Sequence, residues 1–376
     1  MKKFENVRNI IFESVLEGRG IVNFDDTGKK QYYIHNKRVD GLPNASGKGE
    51  NIKYAKKNFY CTEITDGEEK KKIYEHKIKI SAEKYRKYIF TREEEIEIPN
   101  PMLINLPPEH QTSILLTANM IERGWLVTLK DTGGFGKKTS LRVTDCEQYE
   151  DEKDSEKAIS KFDVNSSRGQ SDTSFRYTET IGKVKYKVSG DISLSELQFI
   201  STDPAMDRMA INSDNVEAKF GQNALNKLSR SFGVEGGWKH SEFADKAKME
   251  ICDWPITESG VLFNNDLTVQ LAKDILKKIF IWQIHTSTGY AKRESLRIKF
   301  IKDVTDFDGE WIAINSINDI ENLDFSVYEG FVDVNDKKDI IEASQKAKED
   351  YVKLCKKEME KEKKNKDKTK EKDEEV

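Results

Sequence analysis

The segment Asp131–Ser140, DTGGFGKKTS, brings glycines, adjacent lysines and hydroxyl residues together and invites a phosphate-cradling loop. A nucleotide-hydrolysing loop needs a glycine with four residues between it and the Gly136–Lys137 pair, so that backbone amides wrap the phosphates. It also needs Ser or Thr directly after the lysine to hold magnesium. Asp131 occupies the first position and Lys138 the last, so nucleotide hydrolysis is not expected. The same residues suit a gripping tip. Glycines let a sugar-phosphate chain approach, Lys137, Lys138 and Arg142 meet phosphate, and Phe135 stacks on or wedges between bases. A solvated hairpin turn would have the same composition.

A second cluster lies at Arg168–Lys187, where Arg168, Arg176, Lys183, Lys185 and Lys187 outnumber Asp172 and Glu179. In KVKYKV the three lysines alternate with Val184, Tyr186 and Val188, which places them on one face of a strand. On a hairpin with Phe175, Tyr177 and Tyr186 this would interleave charge with aromatic rings, as single-stranded nucleic acid requires.

Catalytic patterns are incomplete. His35, His76, His110, His240 and His285 show no HxxxH or HxH spacing, and Cys61, Cys146, Cys252 and Cys355 form no CxxC pair. No metal or cofactor is therefore expected. A GxSxG elbow is missing, which leaves no activated serine. Asp25 and Asp26 follow a strand, where a carboxylate can assist RNA cleavage, but an ordinary turn has the same residues. The reading leans away from an enzyme.

The elements around these residues read as mixed. Residues 3–24 suggest an opening strand bent at Gly18 and Gly20, then a short strand QYYIHN and a flexible loop DGLPNASGKGEN that carries Lys48. HKIKISAEKYRKYIF reads as a strand entering a helix capped by Ser81. Helical spacing at Ile114, Leu115, Ala118 and Ile121 stops at Gly124, and WLVTL follows as a buried strand. Residues 131–180 lack periodicity and read as an excursion. Two amphipathic helices come later, one ended by Gly233 and one capped by Asn265 with Leu271, Ile275 and Ile279 inward. SLRIKFIKDV and WIAI read as late strands. The expected organisation is a body at 1–335, with an inserted hairpin region at about 131–190. A charged helix and disordered tail follow at 336–376.

Composition narrows the class. The chain has 376 residues and a net charge of -4, yet Lys29–Arg92 contains 17 Lys or Arg against 8 Asp or Glu. Segregated charge of this kind makes a basic stripe on an acidic protein. No stretch approaches the roughly 18 apolar residues of a spanning helix, so no membrane role is expected. The widely spaced cysteines fit a reducing cytoplasm.

The order of these segments resembles a known family. An opening strand with Gly18 and Gly20, the loop LPNASGKGEN and then KISAEKYRKYIF look like the backbone subunit of multisubunit CRISPR effectors, in the RAMP superfamily. Ser81 and Arg86 match the serine and arginine with which such proteins enter a core helix. TSLRVTDCEQ is similar to the region that carries their protruding thumb. The resemblance implies an α+β fold with a ferredoxin-like (RRM-like) core and inserted hairpins. It also implies a protein that coats CRISPR RNA as a homo-oligomer, beside other effector subunits. Another single-strand binder, of phage or plasmid origin, and an enzyme of a different type are the alternatives.

Overall fold

The opening strand builds the centre of the molecule. In Asn9–Gly20 (β1) Ile10, Phe12, Ser14 and Leu16 are buried, while Glu13 and Glu17 alternate with them on the other side. The computed structural model describes residues 3–20, 22–25, 32–34, 37–39, 54–55, 57–66, 69–90, 108–129, 133–149, 159–164, 175–180, 182–202, 219–248, 255–286, 289–302, 309–328 and 353. Among them are seven helices and several sheets, so the fold is mixed α/β.

The chain divides into two compact units. The first comprises Met1–Ile98, Thr139–Leu194 and Val269–Tyr328. Its sheet uses Lys57–Asp66 (β2), Glu69–Ile80 (β3), Leu141–Val143 (β4), Cys146–Gln148 (β5) and Lys183–Ser193 (β6). Gln283–Thr286 (β7), Gly289–Ile301 (β8) and Ile312–Ala313 (β9) complete it. The order is β7-β8-β1-β6-β5-β3-β2, with β4 beside β6 and β9 beside β8. β1 runs antiparallel to both β6 and β8.

Two helices cover the inner face. Ala82–Phe90 (α1) buries Tyr85, Ile89 and Phe90, and Asn265–Phe280 (α2) buries Leu271, Ile275 and Ile279. Trp282 joins them: its Nε1 donates to the Tyr85 carbonyl at 3.1 Å, and the two rings pack tilted with centroids 4.8 Å apart. Gly18 is glycine because a Cβ there would come within 3.0 Å of the Tyr186 ring and the Tyr290 carbonyl. A parallel pair, Phe4–Val7 with Phe325–Val327, ties the two ends of this unit together, and Arg8 lies 3.6 Å over the Tyr328 ring.

The second unit comprises Pro99–Lys138, Ser195–Thr268 and Glu329–Val376. The expected helical segment before Gly124 is two helices, Pro108–Leu115 and Ala118–Arg123, closed by Gly124 with its N–H on the Met120 carbonyl. WLVTL is a strand paired with Gly133–Lys137, in which Trp125 is buried and Leu126 is 64% exposed. The amphipathic helix spans Lys219–Ser231, and Gly233 beyond it takes φ 70°. α2 is capped by Asn264 rather than Asn265: the Asn264 side-chain oxygen accepts the Leu267 N–H at 2.9 Å.

The loop 40–51 lies outside the described residues, as does the charged C-terminal segment apart from Lys353, which is helical. Among the described residues no helix is long and apolar enough to cross a membrane.

Candidate nucleic-acid interface

The lysine alternation on β6 is the best-placed of the candidate features. Val184, Tyr186 and Val188 are buried against the helices, which turns Lys183, Lys185 and Lys187 to the outer face. Each lysine meets a carboxylate of the same sheet, from β1 or from β8 beyond it. Lys183 lies 3.6 Å from Glu17, Lys185 3.1 Å from Glu294 and Lys187 3.6 Å from Glu13. Glu13 also accepts two bonds from Arg297. Arg142 on β4 grips Asp191 through Nε at 3.1 Å and a terminal nitrogen at 2.6 Å. Lys79 on β3 reaches Asp145 at 2.6 Å. These pairs are part-exposed, so each contributes about 0–1 kcal/mol and a competing phosphate can replace the carboxylate.

Aromatic surface is present on the same face, supplied by residues that sequence reasoning did not select. Trp311 lies beneath Arg297 at 4.5 Å and Lys299 at 5.1 Å. Tyr149 lines a groove of about 510 Å³ together with Lys77, Thr144, Asp145, Glu147, Gln148, Lys187 and Ser189. The alternation of β3 and β8, which places Lys77, Lys79, Arg297 and Lys299 at every second position, is a sequence signal for the cations beside these rings.

Several expected positions differ. Tyr186 cannot stack on a ligand, since it is 1% exposed and burial raises its hydroxyl pKa. β6 pairs with β1, not with the hairpin Ile159–Val164/Phe175–Thr180, so its lysines and that hairpin are not on one two-stranded ribbon. Arg176 pairs through its backbone with Asp163 in that hairpin. The glycine-rich tip is a strand, Gly133–Lys137, paired with Trp125–Leu129. Phe135 is the register partner of Val127. Lys137 is turned inward: it is 5% exposed and its ammonium donates to the Glu196 carbonyl at 2.6 Å. Burial lowers its pKa to about 8, against the raising pull of Glu196 and Glu122. A phosphate cannot reach it there. Lys138 is exposed.

Arg86 is half-buried on α1, in the helix layer, and so lies across the sheet from the lysine face. Ser81 does cap that helix, with its hydroxyl 3.4 Å from the Lys84 N–H, and Asp145 adds a bond to the Ala82 N–H at 2.9 Å. Lys48, Arg168 and Asp26 lie outside the described residues, and Asp25 pairs through its backbone with Tyr54. Among the described residues no cluster of three His, Cys, Asp or Glu is placed to hold a metal ion.

Residues 6–328 match the family described as Type I-Fv CRISPR-associated protein Cas7fv-like. The chain belongs to this family. It is thus a Cas7-type backbone subunit of a CRISPR effector complex, a ribonucleoprotein of antiviral defence that associates with CRISPR RNA and other effector subunits. No curated protein matches the chain. The match ends at Tyr328, the residue whose N–H bonds the Val7 carbonyl at 2.9 Å, so it spans the first unit from latch to latch.

Proposed function

We propose that the outer face of the central sheet holds the CRISPR RNA and that copies of the chain assemble side by side along it. The observation that carries this reading is the lysine row of β6 beside the Tyr149 groove. Lys183, Lys185 and Lys187 are spaced two residues apart, about 7 Å, close to the spacing of successive phosphates in an extended strand. The groove offers Lys77 and Lys187 to a phosphate, and hydroxyls and an amide from Thr144, Ser189 and Gln148 to a sugar or base edge.

The connectivity supports a ferredoxin-like core. Taking β1, α1, β4–β5, β6, α2 and β8 in sequence gives a βαββαβ order. The corresponding strands lie 4-1-3-2 across the sheet, all antiparallel to their neighbours, with both helices on the inner face. The hairpin Ile159–Val164/Phe175–Thr180 is inserted between the second and third of these strands and is the candidate thumb.

The test is a filter-binding titration of the full chain on a single-stranded RNA over a range of salt. Changing Lys183, Lys185 and Lys187 together to Ala is expected to weaken binding at least tenfold. It should also flatten the salt slope by ~0.7 for each phosphate that the variant no longer neutralises. A folded triple variant with unchanged affinity and slope removes this face from the RNA path.

A further inference from the structure

The three lysine pairs on β6 are not alike, and the difference starts from an irregularity in β8. Leu296, Ile298 and Phe300 are buried, so strict alternation would turn residue 294 into the core as well. The residue there is a glutamate. The register against β1 shifts at this point. Val15 faces Ser295 and Leu16 faces Arg293, which leaves Glu294 as the extra residue of a β-bulge. Alternation beyond the bulge is inverted: Ala291 is buried, while Tyr290, Lys292 and Glu294 are exposed.

The bulge is pinned on its inner side. The buried Ser14 hydroxyl donates to the Ser295 carbonyl at 2.9 Å, and the Arg293 N–H donates to the Trp282 carbonyl at 3.1 Å. The Arg293 guanidinium donates to the Phe280 carbonyl at the end of α2 and lies 3.8 Å over the Phe280 ring. Its charge suits the negative end of that helix. Glu294 is thereby held in one place, where Lys185 reaches it across β1 at 3.1 Å. The Lys185 side chain is 18% exposed, against 51% for Lys183 and 44% for Lys187, whose carboxylates lie further off at 3.6 Å. An open surface pair exchanges its partner readily. A covered one does so less readily, since its charges have already lost part of their water.

We propose that the bulge positions the guide: it reserves Lys185 for Glu294 and leaves Lys183 and Lys187 as the phosphate contacts of β6. The inference rests on the outer sheet face being the RNA path. The two open lysines are four residues apart, about 13 Å along the strand, so they hold alternate phosphates of an extended chain. The phosphate between them passes over the Lys185–Glu294 pair without a cation of its own from this row. Glu294 acts through Lys185 and is a positioning residue.

The experiment measures RNA affinity of the full chain against salt for single variants. Lys183→Ala and Lys187→Ala should each weaken binding about threefold or more and flatten the salt slope by ~0.7. Lys185→Ala should leave the slope unchanged. Glu294→Gln frees Lys185 and should steepen the slope by ~0.7, and adding Lys185→Ala to it should remove that gain. The double variant also serves if Lys185→Ala alone impairs folding, because it leaves no carboxylate stranded. Equal slope losses at all three lysines overturn the proposal, as does a folded Glu294→Gln variant with the slope of the parent. An unchanged slope in the triple lysine variant instead removes the whole face from the RNA path, and this inference goes with it.

Discussion

Glu13 stands between Lys187 and Arg297, and Glu17 stands beside Lys183, so the basic face of the sheet contains its own competing anions. An incoming phosphate must displace these carboxylates and is repelled by them at short range. Glu13→Gln and Glu17→Gln are therefore expected to tighten RNA binding about three- to tenfold at low salt, with the gain shrinking as salt rises. A titration at two ionic strengths checks this, and weaker binding in both variants would contradict the exchange. Lys137 gives a different prediction. Its folded pKa, about 8, lies below the unfolded value of about 10.4, so the unfolded chain holds more protons between these limits and stability rises with pH through that window. Thermal unfolding from pH 8 to pH 10 should show a stabilising component, on the order of 1–3 kcal/mol, that Lys137→Met lacks. At this scale the alternation of Lys183, Lys185 and Lys187 was legible, because period two is a local property. Their partners were not, since Glu13 and Glu294 lie far away in sequence. Nor was the inward turn of Lys137, because a short Gly-Lys run gives no sign of which side a tertiary neighbour will cover.

The start of α1 shows how one carboxylate couples elements. Asp145, at the turn between β4 and β5, accepts the Ala82 N–H of α1 and the ammonium of Lys79 on β3. It acts as a remote cap that supplements Ser81, and its charge favours the positive end of the helix. Asp145→Ala should cost about 1–3 kcal/mol of stability, more than Ser81→Ala at about 0.5–1, because it also strands a largely buried ammonium. Urea unfolding of the two variants tests the order, and equal losses would show that Lys79 finds another partner. Helices were the most legible elements: the apolar spacing of Leu271, Ile275 and Ile279 needs only one face of one segment to be buried. Ser81 was legible as a cap for the same reason. The cap of α2 is not legible to the residue, because adjacent asparagines, Asn264 and Asn265, have the same chemistry and only backbone geometry separates them. Composition alone does not separate the strand Gly133–Lys137 from a loop tip, since glycine marks both turns and close-packed strands. At Gly136 a Cβ would stand 2.7 Å from the Trp125 carbonyl, which is the second case.

Across the whole molecule, charge segregation matters more than the sum of -4. The C-terminal segment Lys356–Val376 has nine Lys against eight Asp or Glu, so it adds little field of its own, and the family match stops well before it. Its deletion should leave thermal stability and RNA affinity within about twofold of the parent. A larger loss would show that the segment docks on the body or on a neighbouring subunit. The order β7-β8-β1-β6-β5-β3-β2 runs the basic face along one direction, from Arg297 and Lys299 through the β6 lysines to Lys77. A strand crossing that face leaves at its far side, where a second copy in the same orientation can continue the path. Under the proposed side-by-side coating these head-to-tail contacts form an open array, so copy number should be set by RNA length rather than by the protein. Mass measurements on RNAs of increasing length should therefore show copies added one at a time in proportion to length, and the triple β6 lysine variant should lose this ladder. A fixed copy number on all lengths would mean that assembly is governed by a closed protein interface, and it would refute side-by-side coating.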